Sequence, residues 1–314
     1  MPSLRATHLA ALAVGALAAL GACGGGEAPA TTTASTAPAR TTAAPKPKAS
    51  APALCGQLRV RVAGRVRADE ATEVSGLVFS PTQKGVLWAH NDSGDRARLF
   101  ALRTDGSLIS SLDVTGAEAV DWEDVAVGPD DTLLVADIGD NGKARASVDV
   151  WRVPEPRLAD GPAATAAATR LTYTYPDGAH DAETLLADRK TGEVVVVTKQ
   201  VDGRSGVYAG SVSGGGALRR VATLRLGLGG LATAGDVSAD GRVVAIRTYT
   251  ALYVWSRRAG ASIAATLKRA PCVGSAQLLR EGQGESLALA RDGASFYTVP
   301  EGANAALRRY TTKK

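Results

Sequence analysis

Apolar residues in this chain come in short runs closed by turn formers, and one such unit is repeated five times. Each unit opens on an apolar run with an acidic or small polar residue at its start: SGLVFS (75–80), EDVAVG (123–128), ETLLAD (183–188), GDVSAD (235–240) and ESLALA (285–290). PTQKG, PDD, RKTG, ADG and RDG follow, rich in the Gly, Pro and Asp that a strand reversal requires. Second runs come next: VLWAH (86–90), TLLVAD (132–137), EVVVVTK (193–199), RVVAIRT (242–248) and SFYTV (295–299). RLFALR, VDVWRV, GVYAGSV, ALYVWS and ALRRYT are the third runs. After four of these comes a fourth: LISSLDV (108–114), TRLTYTY (169–175), RRVATLRL (219–226) and SIAATLK (262–268).

Each unit therefore predicts a four-stranded antiparallel sheet, and the fifth lacks its outer strand. QLRVRVAGRVR (57–67) alternates apolar and basic residues with period two, the pattern of a half-buried edge strand, and predicts the missing member. Leu77, Val125, Leu185, Val237 and Leu287 mark the repeats at intervals of roughly 50 residues, the length a propeller blade needs. The predicted fold is an all-β, five-bladed β-propeller closed by the N-terminal strand. Six blades is the alternative, should the longer interval between Val125 and Leu185 hide a small extra blade. No helical amphipathic segment of useful length is predicted after the N-terminal leader.

Composition supports a packed core: 45% of residues are hydrophobic, but only 4% are aromatic, so Val, Leu and Ala must fill it. Trp88, Trp122, Trp151 and Trp255 mostly fall within predicted strands, where packing between blades is their expected role; Trp122 is set apart by the carboxylates on either side of it. The N-terminus reads as a targeting segment. Arg5 is its charged start, LAALAVGALAAL (9–20) its apolar run and LGAC (20–23) its end; the run is too short for a comfortable membrane span. LGAC resembles the bacterial lipobox, which implies a lipoprotein signal peptide over residues 1–22 and acylation of Cys23; an ordinary cleaved signal peptide with Cys23 incidental is the alternative. Residues 24–53 are Ala, Thr, Pro, Gly and Ser with almost nothing to bury, so residues 23–54 are expected to form a disordered tether and residues 55–314 the propeller. The chain is thus expected to be exported, monomeric and lipid-anchored to the outer face of the cell membrane, touching the bilayer through its acyl chains only.

Of the formal net charge of +5, residues 1–54 carry +3, from Arg5, Arg40, Lys46 and Lys48 against Glu27. The remaining +2 leaves no basic stripe interleaved with aromatics, and no nucleic-acid partner is expected. Cys55 and Cys272 remain beyond the anchor, in a compartment that permits disulfides, and predict a bridge; two free buried thiols are the alternative.

Candidate chemistry concentrates in DWEDVAVGPDDTLLVADIGDN (121–141), which holds seven carboxylates: Asp121, Glu123, Asp124, Asp130, Asp131, Asp137 and Asp140. In a propeller, residues at equivalent blade positions converge at one mouth of the channel. Ser75, Glu123, Glu183, Gly235 and Glu285 are assigned to one ring, with Glu73, Asp121 and Asp181 two residues earlier and Asp124 and Asp236 one later. AHNDSGD (89–95), ADIGDN (136–141), Lys199, Arg247 and Glu301 end the second strands and should approach the same mouth. Oxygen ligands with intervening glycines suit a hard cation such as Ca²⁺. The candidate ligands are Asp121, Glu123, Asp137, Asp140, Asn141, Asp181, Glu183 and Glu285. Turn formation and ion pairing with Arg96, Arg98 or Arg145 are the competing explanation for these carboxylates.

Asp121, Glu123, His180 and Glu183 are the catalytic candidates. Serine hydrolysis finds little support: only His90 and His180 follow the leader, Ser93 beside Asp92 would have to reach His180, and no G-x-S-x-G elbow is present. GGGA (214–217) and GLGG (227–230) lack a phosphate-binding context and are expected to be loops between blades.

SGLVFSPTQKGVLWAHNDSGDRARLFALRTDG, DWEDVAVG with LLVADIGDN, and DAETLLADRKTGEVVVVTK resemble secreted bacterial lipoproteins with propeller domains, and more distantly TolB-like and calcium-dependent lactonase- and phytase-type propellers. The resemblance covers roughly residues 70–310 and implies the propeller, an extracytoplasmic location and clustered acids around Ca²⁺. Two functional readings follow. One is a surface-tethered module that binds a ligand or partner protein at its acidic channel face. The other is a Ca²⁺-dependent hydrolase of phosphoesters or lactones using metal-activated water.

Overall fold

A computed structural model of the chain describes residues 52–161, 163–274 and 278–312. The leader, Cys23 and nearly all of the tether lie outside the described residues. Lys48–Lys314 forms one compact unit.

An isolated strand comes first, β1 (Leu58–Arg65), and five sheets follow around an axis. Blade one is β2 (Val74–Phe79), β3 (Val86–Asn91), β4 (Arg98–Arg103) and β5 (Leu108–Asp113). Blade two is β6 (Trp122–Val127), β7 (Thr132–Asp137), β8 (Val148–Pro154) and β9 (Thr169–Thr174). Blade three is β10 (Ala182–Ala187), β11 (Glu193–Thr198), β12 (Gly206–Ser211) and β14 (Arg219–Thr223). The short β13 (Gly216–Ala217) leaves blade three to pair in parallel with β9 of blade two. Blade four is β15 (Ala232–Val237), β16 (Val243–Thr248), β17 (Leu252–Ser256) and β18 (Cys272–Gly274). Blade five takes β19 (Ala288–Leu289), β20 (Ser295–Thr298) and β21 (Ala306–Thr312) from the C-terminal end, and β1 completes it as the outer strand. The five-bladed propeller and its closure by the N-terminal strand are both as the repeat pattern predicts.

Five apolar clusters hold the ring, each between neighbouring blades. Leu134, Val150 and Leu171 meet Leu185 and Val196 between blades two and three; Ala234 and Val254 meet Phe296 and Tyr310 between four and five. A strand pressed between two other sheets is buried on both faces, which is why EVVVVT reads as a continuous apolar run rather than an alternation. Trp88, Trp122 and Trp151 fill the space between blades one and two, and Trp255 that between three and four. Trp122 is 1% exposed, and its indole donates to Glu118 O at 2.9 Å, so it packs rather than lining the mouth.

The Cys55–Cys272 disulfide joins the turn before β1 to β18 of blade four. It closes a loop spanning 217 positions, for which chain entropy predicts a stabilisation of up to about 5 kcal/mol.

Two strand expectations are corrected. SIAATLK is not the outer strand of blade four: Ile263–Leu267 is a short helix, α1, and β18 takes that place. Ser262 Oγ accepts from Ala265 N, and the Glu193 carboxylate accepts from Ile263 N and Ala264 N, so side chains satisfy the free first-turn donors. Ile263, Ala264 and Leu267 then seal the apolar space between blades three and four. In blade five the innermost run is regular only at Ala288–Leu289, leaving Glu285 on an irregular approach to the mouth.

Candidate metal and ligand site

One backbone irregularity builds the mouth. Pairing between the first and second strands shifts register between Val74 and Gly76, Trp122 and Asp124, Ala182 and Thr184, and Ala232 and Ala234. The extra residue of each bulge is Ser75, Glu123, Glu183 or Thr233, and a bulge re-aims its side chain out of the regular pleat. Counted back from the hairpin closed by Ala290 N and Ser295 O, Glu285 takes the same place in blade five. Blade four therefore contributes Thr233, not Gly235, and its Oγ1 donates to Gly284 O at 3.0 Å. Asp236 lies further down the bore, where it accepts from Val237 N and, across to blade five, from Leu289 N at 2.7 Å. Asp124, fully buried, accepts from Val125 N, from Leu185 N of blade three and from Gly235 N of blade four. These two carboxylates clasp blades together and are occupied.

Chain segments after the second strands complete the rim. Asp92 N bonds Glu73 O, Gly139 N bonds Asp121 O, Lys199 N bonds Asp181 O and Glu301 N bonds Gln283 O. These four residues hold equivalent places, and blade two alone puts a glycine there. A Cβ at Gly139 would sit 2.2 Å from Glu123 Oε1 and 2.4 Å from Asp121 Oδ2, so the missing side chain is what leaves the space between those acids open.

The carboxylates form three overlapping groups, Asp92–Asp121–Glu123, Glu123–Asp181–Glu183 and Asp92–Glu285–Glu301, each with one oxygen per residue within 4.8 Å of the others. Lys199 closes the circle: its ammonium contacts Glu183 Oε1 directly, stands 3.5 Å from Glu285 Oε1 and lies 5.4 Å from the Tyr249 ring centre. Tyr249 also donates its hydroxyl to Glu285. Among the described residues, Lys199 is the one cation within 4.0 Å of any of these seven carboxyl groups.

The electrostatic consequence is large. Burial, then Glu183 and its neighbours, pushes the Glu123 carboxyl well above its ordinary value, and burial with Glu285 does the same to Glu183. Asp121 is raised by burial and Asp181. Burial pushes Asp92 up to about 6, and burial with the Glu285 hydrogen bond pushes Glu301 up to about 8. Glu285 goes the other way, because hydrogen bonds from Glu301, Tyr249 and Lys199 more than offset its burial. Glu123 Oε2 and Glu183 Oε2 are buried without any hydrogen-bond partner. An ionised carboxylate oxygen in that state is costly, and a cation held by the Glu123–Asp181–Glu183 group would remove the cost.

The other predicted site residues lie apart from these groups. Asp137 pairs with Arg145 at 2.8 Å and accepts from Val120 N and Asp121 N. Asp140 accepts from Ala144 N and Arg145 N, the turn-forming role weighed against ligation, and its own N–H donates to Asp181 Oδ1. Asn141 is exposed in that turn. His180 Nε2 lies 2.9 Å from Asp177 Oδ1 and 2.8 Å from the Tyr208 hydroxyl. Ser93 hydrogen-bonds Asp121 rather than His180, so the conjectured Ser93–His180 pair does not form. Arg247 is corrected too: the register sets it opposite Ala234, fully buried and paired with Glu281 at 2.9 Å, not at the rim. Tyr249, two residues on, is the rim group that residue-type reasoning missed.

No family model and no curated protein matches the sequence. Among solved structures, the chain is similar to a gluconolactonase from Xanthomonas campestris, at 15% identity over 84% of this chain and 97% of that one, with a TM-score of 0.43. It is likewise similar to a luciferin-regenerating enzyme, at 12% identity over 76% and 77% of the two chains and a TM-score of 0.43. A third is U3-55K, at 11% identity over 81% and 98% and a TM-score of 0.40. Any reading of function therefore rests on the site itself.

Proposed function

We propose that the acidic mouth binds Ca²⁺ through Asp121, Glu123, Asp181 and Glu183, and that the charged rim around it holds a ligand or partner protein. The chain would do so as an exported lipoprotein anchored through Cys23 at the outer face of the cell membrane. The observation that carries the metal is the pair of orphaned, buried oxygens, Glu123 Oε2 and Glu183 Oε2, beside the gap that Gly139 leaves. All donors are oxygens, as a hard cation prefers, and no thiol or imidazole joins the groups. Melting the protein in millimolar Ca²⁺ and in EDTA tests this. Ca²⁺ should raise the melting temperature of the native chain and not that of Glu123→Gln/Glu183→Gln. An unchanged melting temperature in the native chain refutes the metal site.

A Ca²⁺-dependent hydrolase of phosphoesters or lactones is the second reading. In the metal-free site burial and the Glu285 hydrogen bond raise Glu301 to about 8 and burial raises Asp92 to about 6, which marks these two as the candidate general acid and base. Bound Ca²⁺ would supply Lewis acidity toward the substrate oxygen and its attacking water. Turnover of generic phosphoesters or lactones, lost in Asp121→Ala and Glu183→Ala with melting preserved, would select this reading.

A further inference from the structure

We infer that the outer strands of blade five form a phosphate-binding groove that seats the propeller on anionic phospholipid headgroups, with its acidic mouth turned away from the membrane. Arg61 of β1 lies directly opposite Arg309 of β21, and Arg59, two residues along, shares their face of the sheet. Like charges set directly across a pair of strands repel one another. Among the described residues, no carboxylate lies within 4.0 Å of any of these three guanidinium groups, and Arg309 Nε is buried without a hydrogen-bond partner. Such an arrangement suits a site that receives its anion from outside.

Beside these arginines runs a groove of about 420 Å³ lined by Arg59, Arg309, Ser295, Thr311 and Thr312. Two guanidinium groups and three hydroxyls are the donors that a phosphodiester oxygen takes. Ser295 carries a second, independent sign: it is 3% exposed, and its Oγ has no partner. Asp292, also in the wall, spends Oδ1 on Ala294 N of its own turn.

Position selects the source of the phosphate. Arg59 pairs with Thr311 and Thr311 with Ser295, so the groove lies at the hairpin end of blade five, whereas Glu301 follows the other end of the same β20 strand. Pro52, the first described residue, precedes Arg59 by only a few residues, and the sequence before it carries Arg40, Lys46 and Lys48. If Cys23 is acylated, as the proposed function holds, a flexible tether of this length has a root-mean-square reach of roughly 30 Å, short enough for the arginines of β1 to meet headgroups often.

The test needs no acyl chain, so it stands apart from the anchor. Residues 48–314 contain every described strand and the disulfide that close the ring. This segment is mixed with vesicles of phosphatidylcholine alone or with phosphatidylglycerol added, and sedimented at low and high salt. Binding should require phosphatidylglycerol, weaken steeply with salt, and fall at least tenfold in Arg59→Glu/Arg61→Glu/Arg309→Glu. Arg219→Glu/Arg225→Glu/Arg258→Glu should bind as the native chain does, with circular dichroism confirming that both variants fold. Ser295→Ala, which keeps every charge, should weaken vesicle binding. Equal binding to both vesicle types, equal loss in the two charge-reversed variants, or no binding overturns the inference. Binding of inorganic phosphate or duplex DNA at least as tight as that of vesicles also overturns it, by assigning the groove to a soluble anion.

Discussion

The ammonium of Lys199, from the end of β11, contacts Glu183 of its own blade and reaches to 3.5 Å from Glu285 of blade five. It is the internal counter-ion of an otherwise acidic rim. Burial disfavours its charge, but Glu183 and Glu285 more than restore it and hold the ammonium pKa above its ordinary value.

Removing that charge should therefore destabilise the protein. Lys199→Met leaves Glu183 and Glu285 facing each other with no cation, and breaking a buried pair in this way costs on the order of 3 kcal/mol. The loss would be read from the denaturant midpoint in EDTA. Ca²⁺ should restore more stability to the variant than it adds to the native chain; equal midpoints would show that Lys199 is incidental.

Gly139 offers a finer probe of the space between the acids. Gly139→Ala would place a methyl against Glu123 and Asp121, and Ca²⁺ affinity measured by calorimetry should fall at least tenfold. Gly142→Ala is the control, because nothing lies within 4 Å of the Cβ it would add. Matched affinities in the two variants would place the ion elsewhere.

Without metal, stability should depend on pH in an unusual sense. Asp92, Asp236 and Glu301 titrate at about 6, 7 and 8, all above the range of free carboxyls near 4, and Glu123 and Glu183 are raised as well. Groups with raised folded pKa values stabilise the fold while protonated, and that contribution is lost as pH climbs through those values. In EDTA the melting temperature should fall between pH 5.5 and pH 8.5. With saturating Ca²⁺, which binds the ionised carboxylates, the decline should flatten or reverse; a melting temperature that rises with pH in EDTA would contradict the assignment.

Cys55→Ser/Cys272→Ser should retain the propeller and lose stability, by at most about 5 kcal/mol from a span of 217 positions. Blade five should be the first to open, because its outer strand β1 arrives from the far end of the chain. Hydrogen exchange at Val60 and Val62, which face Tyr310 and Arg308 across the seam, would report this opening.

Much of this was legible in the linear chain because propeller blades are local. Strand, turn and strand follow one another, so EVVVVT and TLLVAD identify themselves, and β1 is recognisable by its alternation of arginine and apolar residues. Legibility failed where local signals are degenerate. SIAATLK is short and apolar, and periodicity alone does not tell a buried strand from a helical turn; the Glu193 carboxylate of a different strand caps it and decides the matter. ATAGDV is buried on nearly its whole length, so no exposed face marks its register, and residue type aligns Gly235 with the ring that Thr233 in fact joins.

Sequence alone determined the repeat, the blade count, the strand that closes the ring and the acidic character of the mouth, because each depends on patterns within about 50 residues. Tertiary structure decided which acids share an oxygen cluster, that Lys199 neutralises Glu183 and Glu285, and that two glutamate oxygens are left bare. Those relationships join blades far apart along the chain, and bulges that shift a strand by one residue set them; electrostatic energy depends on distances of a few ångströms that no local pattern encodes.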